Sequence, residues 1–114
     1  MKESRLYMEN IQFLFDYSGQ WIAFKKGKFI FNTNGNWIGW FPWDDFIAVD
    51  THGRYLGTIY LQNRFLENTL QSYLPYPGYP GYPGYPGYPG YPGFAGHCGY
   101  IANTRDIDKN RLDE

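Results

Sequence analysis

Short runs of apolar residues, broken by turn-forming residues, fill the chain from residue 11 to residue 68. Segments such as Phe13-Leu14-Phe15 and Phe29-Ile30-Phe31 combine aromatic and β-branched side chains, which favour strands over helices. The pattern predicts seven strands, near residues 11–15, 20–25, 28–32, 36–41, 46–50, 54–60 and 63–67, and no helix. The predicted fold class is therefore all-β.

Three segments of this region, residues 15–24, 31–40 and 49–58, share one pattern. Each has an apolar residue, Asp or Asn, two variable positions, glycine, a polar residue, an aromatic, an aliphatic and a small residue. Asp or Asn opens a type I turn by bonding its side chain to the backbone two residues on, and the glycine takes the left-handed conformation. Each copy therefore predicts a hairpin. The final small residues are expected where neighbouring hairpins crowd together, and they are Ala23, Gly39 and Gly57.

Three hairpins leave sheet edges open, and a fourth corner could form between residues 7–11 and 64–67. That would give a shallow, barrel-like, pseudo-four-fold array of short β-hairpins. The repeated unit, with Trp-Ile-Gly-Trp at 37–40 and Tyr-Leu-Gly-Thr at 55–58, resembles the four-fold β-flower family of small bacterial proteins, some of which carry a similar tail. The resemblance implies a shallow barrel of hairpins over residues 11–68 and brings no established catalytic residues.

From residue 76 to residue 93 the chain repeats Tyr-Pro-Gly six times. A glycine at every third position suits an extended, polyproline-II-like helix that places rings in one stripe and glycines in another. No Asp, Glu, Lys or Arg lies between Glu67 and Arg105, and an uncharged aromatic stripe is typical of an interaction surface. The candidate interaction residues are Tyr76, Tyr79, Tyr82, Tyr85, Tyr88 and Tyr91 with Gly78, Gly81, Gly84, Gly87, Gly90 and Gly93.

The length of this tail restricts where it can lie. In polyproline II the six triplets span about 56 Å, whereas a globular head of about 60 residues is only about 27 Å across. The tail therefore either folds back through Pro-Gly turns or packs against the tails of other subunits, as collagen chains do, with a trimer favoured. The predicted organisation is an N-terminal extension (1–10), a β-hairpin domain (11–68), the tail (69–99) and a polar C-terminal segment (100–114).

The polar residues show no arrangement typical of catalysis. Asp44 and Asp45 are adjacent in a predicted loop, and neighbouring side chains on an extended backbone point to opposite faces. Turn formation accounts for the Asp and Asn residues at 16, 32 and 50. The remaining candidates lack the spacing of a zinc site or of a nucleophile pair, and they are His52, His97 and Cys98. We therefore expect no enzyme activity, no cofactor and no metal.

The aromatic residues of the hairpin region allow three interpretations. They can form the core and rim of a small β unit, or stack on the proline-rich tail. They can also form a shallow aromatic cup for a lipid-like or aromatic ligand. The candidate cup residues are Trp21, Trp37, Trp40, Trp43 and Tyr55.

Charge and composition exclude several classes of partner. Ten basic and eleven acidic residues give a formal charge of −1, so nothing indicates nucleic acid. The absence of a run of transmembrane length, the polar start of the chain and a single cysteine favour a cytoplasmic location. The leading hypothesis is a non-enzymatic structural or assembly module whose tail mediates self-association or partner docking. The alternative is a small binding protein that holds a hydrophobic ligand in the aromatic cup.

Overall fold

The structure, a computed structural model, describes residues 11–113. Seven of its strands lie within one residue of the predicted positions, so the all-β prediction is confirmed. An eighth short strand and one turn of 3-10 helix follow the tail. In chain order the elements are β1 Ile11–Phe15, β2 Trp21–Lys26, β3 Phe29–Asn32, β4 Trp37–Trp40, β5 Ile47–Asp50, β6 Tyr55–Tyr60, β7 Arg64–Asn68, β8 Thr104–Asp106 and the 3-10 helix Lys109–Leu112.

The strands form one sheet that closes on itself. Each strand pairs antiparallel with the next, and a parallel contact between Phe15 of β1 and Arg64 of β7 closes the first seven into a shallow barrel. The Phe15 N–H also donates to the Asn63 carbonyl at 2.8 Å. Closure leaves the first seven strands without the free edge that promotes aggregation.

The first three hairpin turns form as the repeat predicts. The Oδ1 atom of each opening residue accepts hydrogen bonds from the N–H groups two and four residues on, at 2.9–3.0 Å. The turn glycines have φ between 85° and 93°, a region that side-chain-bearing residues occupy only with strain. The opening residues are Asp16, Asn32 and Asp50, and the glycines are Gly19, Gly35 and Gly53.

The small residues after the turns lie where strands crowd, as predicted. Ala23 is fully buried. A Cβ atom on Gly39 would overlap the carbonyl oxygen of Val49 on the neighbouring strand, and one on Gly57 would lie 2.5 Å from Ile107 Cδ1.

Side-chain alternation divides the buried residues of the strands into two layers. One layer lies inside the barrel and contains Leu14, Ala23, Ile30, Ala48 and Phe65. Their neighbours along the strands point to the opposite face, yet they are buried as well. This outer layer contains Phe15, Phe24, Phe31, Val49 and Leu66. Because the outer wall of a small barrel would otherwise face water, other parts of the chain must cover it.

The fourth corner is a hairpin between β7 and β8, in which residues 66–68 pair with residues 104–106. The predicted pairing of residues 64–67 with residues 7–11 is therefore wrong at residues 66 and 67, and residues 7–10 lie outside the described part. Asn68 opens this hairpin: its Oδ1 accepts from the Leu70 N–H at 3.0 Å and its carbonyl accepts from the Gln71 N–H at 3.1 Å. The chain returns at Asn103, whose carbonyl accepts from the Thr69 N–H at 2.9 Å. The tail is therefore a long loop inserted into the fourth hairpin.

The C-terminal segment, which the sequence pattern separates from the head as polar residues 100–114, supplies part of the core. Ile107 and Leu112 are both buried among the inner-layer residues. We call residues 107–112 the C-terminal plug. It contributes apolar surface that the first 68 residues lack, so the head is a single unit made from both sides of the tail.

Polar contacts hold the C-terminal plug on the turns. Lys109 Nζ lies 3.4 Å from Asp16 Oδ2, and Arg111 Nη2 lies 3.0 Å from Asp50 Oδ2. At the second turn Asn32 Nδ2 donates to the plug backbone at 2.8 Å. Each opening residue thus uses one side-chain atom for its own turn and the other for the plug. This explains why the two aspartates face Lys109 and Arg111, whereas Asn32, whose amide is a donor, faces a backbone carbonyl.

The Asp16 contacts predict an acid-sensitive contribution to stability. Burial by itself raises the pKa of Asp16, but hydrogen bonds from Ser18 and the Gln20 N–H, together with the Lys109 ammonium, outweigh it, so the pKa lies below its ordinary value of 3.8. The unfolded chain then binds the proton more tightly than the folded one. This contribution is therefore present above about pH 4 and lost as pH falls through the lowered pKa.

We expect Asp16→Asn to flatten the acid limb of the stability–pH profile, measured by urea unfolding between about pH 2 and pH 5. The amide keeps an oxygen for the turn, so only the titrating charge is removed. An unchanged slope below pH 4 would show that this carboxylate is not a source of acid sensitivity.

Candidate functional site

The tail is curved and not a continuous polyproline II helix. The glycines from Gly78 to Gly96 at every third position have φ between 83° and 95°, whereas polyproline II requires about −75°. The predicted polyproline-II-like conformation is therefore wrong at every third residue. The physical reason is that Pro-Gly favours a type II turn, with glycine at the position of positive φ. Repeated turning lets the segment follow a curved surface.

The tail tyrosines contact the two repeat tryptophans in the same way. The Trp37 ring has its centroid 5.7 Å from those of both Tyr79 and Tyr82, at interplanar angles of 61° and 59°. We call a tryptophan with its two tyrosines an aromatic clamp. Such pairs each contribute about 0.5–1.5 kcal/mol beyond the area that they bury.

The second clamp repeats this geometry one hairpin away. Trp21 has ring-centroid distances of 6.1 Å to Tyr88 and 5.9 Å to Tyr91, at interplanar angles of 57° and 58°. The indole N–H groups are oriented alike, since Trp21 Nε1 donates to the Ala23 carbonyl at 2.8 Å and Trp37 Nε1 to the Gly39 carbonyl at 2.7 Å. Both indoles are thereby held in place by their own hairpins as well as by the tail.

The tail and the hairpins have matching periods. The tyrosines of the two clamps are nine residues apart along the tail, and so are the two rings that lie over turn glycines. A Cβ on Gly53 would lie 2.8 Å from the Tyr76 ring, and one on Gly35 would lie 2.6 Å from the Tyr85 ring. Three Tyr-Pro-Gly triplets therefore correspond to one hairpin, and the tail passes the hairpins in the order third, second, first.

Backbone contacts fix the far end of the tail on the first hairpin. The Ala95 N–H donates to the Gly19 carbonyl at 2.9 Å. The buried guanidinium of Arg64 donates from Nη1 to the carbonyls of Gly96, at 2.8 Å, and Asp16, at 3.0 Å. Arg64 thus joins the closing strand of the barrel, the first turn and the end of the tail.

The outward side of the tail is aromatic and exposed. The six repeat tyrosines are 59–70% exposed although each lies in a segment that follows the head. Tyr73, Phe94 and Tyr100 extend the row at both ends and are also exposed. We call residues 73–100 the tyrosine belt. The space around the belt glycines is open, so these positions need glycine for its backbone conformation and not for close packing.

The candidate cup residues have separate surroundings. Trp21 and Trp37 belong to the two clamps, and Trp40 is buried with Lys28 Nζ 5.6 Å from its ring centroid. Trp43 is exposed in the loop between β4 and β5. Tyr55 lies between the third and fourth hairpins, where its hydroxyl accepts from the Asn68 N–H at 2.9 Å.

The two adjacent loop carboxylates have structural partners. Asp44 Oδ1 accepts from the N–H groups of Phe46 and Ile47 at 2.9 Å, and Asp45 pairs with Lys25 at 3.3 Å. Cys98 is a free thiol. Within residues 11–113, no three His, Cys, Asp or Glu side chains are grouped as a metal site requires, and no helix has the length and apolar character to span a membrane.

Two belt contacts were not apparent from the sequence. From the sequence, Arg64 is indistinguishable from other strand residues, yet it donates to the Gly96 carbonyl of the belt. Lys26 lies in a basic cluster that the sequence places in a hairpin loop, yet its Nζ donates to the Pro86 carbonyl at 3.2 Å. The sequence did contain one signal. Its turn-opening residues recur every 16–18 residues up to Asn68, and its tail repeats in triplets, so that a constant number of triplets, three spanning nine residues, can correspond to each hairpin.

The comparisons with known proteins bear on the fold. No curated protein and no solved structure matched the chain significantly. The family model of the 4-fold beta flower protein matches residues 2–97, a span that includes the three repeated hairpins, β7 and the Tyr-Pro-Gly triplets. With its repeated turns and barrel closure, the chain belongs to the 4-fold β-flower family.

Proposed function

We propose that the protein is a non-enzymatic assembly module in which the hairpin barrel holds the tyrosine belt in place and the outward faces of the belt mediate self-association. The observation that carries the proposal is the exposure of the six repeat tyrosines, 59–70%, on a segment that is itself anchored to the head. An aromatic row of this length is larger than the scattered apolar residues of an ordinary surface.

The chemistry of the belt supports a protein contact. Tyrosine is enriched at interface hot spots, and charged residues are depleted from interface centres. The belt offers tyrosines with no Asp, Glu, Lys or Arg among them. Since the clamps and Arg64 already hold the backbone, association has less conformational entropy to overcome than a free tail would require.

A trimer is not part of the proposed assembly. A trimer was expected from a collagen-like bundle of tails, and the positive φ of the belt glycines is incompatible with the collagen conformation. The exposed tyrosines by themselves do not specify a number of subunits. A cytoplasmic location remains part of the proposal, supported by the free thiol of Cys98.

The non-enzymatic part of the proposal is supported by how the carboxylates are used. Asp16 and Asp50 bind their own turns and the C-terminal plug, and Asp44 accepts two backbone hydrogen bonds. Acid–base catalysis by a pair of carboxylates needs two such groups with separated pKa values across a pocket. These side chains serve the turns instead.

Sedimentation velocity of the full chain from low to high micromolar concentration tests the proposal. We expect the mean mass to rise with concentration, and Tyr85→Lys, which places a charge in the middle of the belt, to weaken association about tenfold or more. Tyr85→Phe keeps the ring over Gly35 and serves as the matched control. A chain that stays monomeric throughout, or a Tyr85→Lys variant that associates as well as the unchanged chain, would contradict self-association through the belt.

A further inference from the structure

The third hairpin has the turn of the other two but no aromatic clamp. Tyr55 occupies the clamp position, since it pairs with Val49 as Trp21 pairs with Phe15 and Trp37 with Phe31. Nine residues before the tyrosines of the Trp37 clamp lie Leu70 and Tyr73.

These two residues belong to the fourth turn and to the segment just after it. Leu70 is exposed, and Tyr73 is 90% exposed. Within residues 11–113, no aromatic ring forms a pair with Tyr55 like those of the two clamps, so the third clamp position is unfilled.

A groove of about 500 Å³ lies at this position. Its lining includes Tyr55, Tyr73 and Tyr76, with His52, Arg54 and Glu67 as polar groups. The Tyr55 hydroxyl hydrogen-bonds with Thr58 Oγ1 at 2.6 Å and accepts from the Asn68 N–H, so its ring is held in place. The groove is continuous with the surface that binds the belt, because Tyr76 is the first ring of the belt to contact a turn glycine.

We infer that this groove is a binding site for a Tyr-Pro-Gly segment from a second copy of the chain, with a tyrosine ring packed against Tyr55. The inference rests on the proposed self-association and specifies one of its contacts. The two filled clamps show what this surface accepts: two aromatic rings carried three residues apart on Pro-Gly turns. A second copy presents such rings with exposed outer faces.

The polar lining fits the same ligand. A Tyr-Pro-Gly segment offers carbonyl and hydroxyl oxygens and carries no charge. Arg54 supplies N–H donors for these oxygens. Glu67 pairs with Arg105 at 3.2 Å, and its carboxylate oxygens have further lone pairs that can accept from a tyrosine hydroxyl. Tyr73 and Tyr76 flank the groove, so an incoming ring would lie beside theirs.

Titration of the full ¹⁵N-labelled chain with the peptide acetyl-Tyr-Pro-Gly-Tyr-Pro-Gly-amide tests the site. We expect chemical-shift changes at the amides of His52, Gly53, Arg54 and Gln71, and no changes with the matched peptide that has serine in place of tyrosine. Tyr55→Ser should weaken peptide binding about tenfold, as loss of one aromatic pair predicts. The spectrum of that variant shows whether the fold is retained, and the serine peptide tests the site without any substitution.

Two results would overturn the inference: no shift changes at millimolar peptide, or changes confined to the surroundings of Trp21 and Trp37, which would mean that the peptide competes with the belt. Association of the full chain without peptide binding in the groove would leave the proposed function intact and remove this site. Peptide binding to a chain that is monomeric at every concentration would remove the proposed function and, with it, the second copy as the ligand.

Discussion

Gly39→Ala is expected to destabilise the protein by about 3 kcal/mol or more, although it adds only one methyl group. A Cβ at this position would overlap the Val49 carbonyl oxygen, which belongs to the backbone of the paired strand and cannot rotate away. Relief requires β4 and β5 to separate at the centre of the barrel. For a domain of this size such a loss lowers the melting temperature by more than about 10 °C.

Gly27→Ala is the matched control. Gly27 has φ of 63° and open space around its Cβ position, so the substitution adds backbone strain without a clash. We expect a cost of about 1 kcal/mol. Equal losses of unfolding free energy for the two variants, measured by urea denaturation, would show that crowding between hairpins does not dictate the small residues of the repeat.

Deletion of Tyr85-Pro86-Gly87 is expected to lower the free energy of unfolding by about 2–3 kcal/mol. The segment of the belt from Tyr76, over Gly53, to Gly96, over Gly19, has 21 residues, and both of its ends are fixed. Removing three residues shortens its reach by about 10 Å. One aromatic clamp must then open or the C-terminal plug must move, although the remaining sequence is still a perfect Tyr-Pro-Gly repeat.

Insertion of one more Tyr-Pro-Gly at the same place provides the control. A longer loop can bulge outward with both clamps intact, and loop closure costs little extra entropy, so we expect a change within about 1 kcal/mol. Tryptophan fluorescence during urea unfolding reports both the stability and the clamp environment. If deletion and insertion had the same small effect, the belt would not be matched to the circumference of the head.

The local elements of this fold could be predicted from the sequence because each depends on residues close together in the chain. Asp16 and Gly19 define a turn by themselves, and the strand at 29–32 needs only its aromatic and β-branched residues. The fourth corner could not be predicted in the same way. Asn68 opens it, but its partner strand begins at Thr104, after the whole tail, so no local pattern joins them.

The C-terminal plug shows the same limit. Lys109 and Arg111 look like solvated charges in sequence, because their partners are 93 and 61 residues away in the chain. The repeat contains a partial signal for a partner at the turns. The side chains at residues 16, 32 and 50 each have a second polar atom that does not bond to their own turn. Only tertiary structure shows where that atom is used.

Packing of the tyrosine belt on the head could be predicted only in part from the sequence. The tyrosines and the absence of charge predict a contact surface, and stacking of the hairpin tryptophans on the tail is the interpretation that the structure shows. A glycine at every third position suggests close packing between chains, as in collagen. The positive φ of Gly84 and Gly87 shows that turning of the backbone is what requires it.

The central claim is that the belt packs on the head of its own chain, and isotope-filtered NOE spectroscopy tests it most directly. In a uniformly labelled sample we predict NOEs from the Trp37 indole to the rings of Tyr79 and Tyr82, whose centroids lie 5.7 Å away. In an equal mixture of labelled and unlabelled chains, refolded together, the filtered experiment detects only contacts between chains, and these NOEs should be absent from it. Their appearance there would show that the clamps join different chains, and their absence from both spectra would show that the belt is not bound to the head.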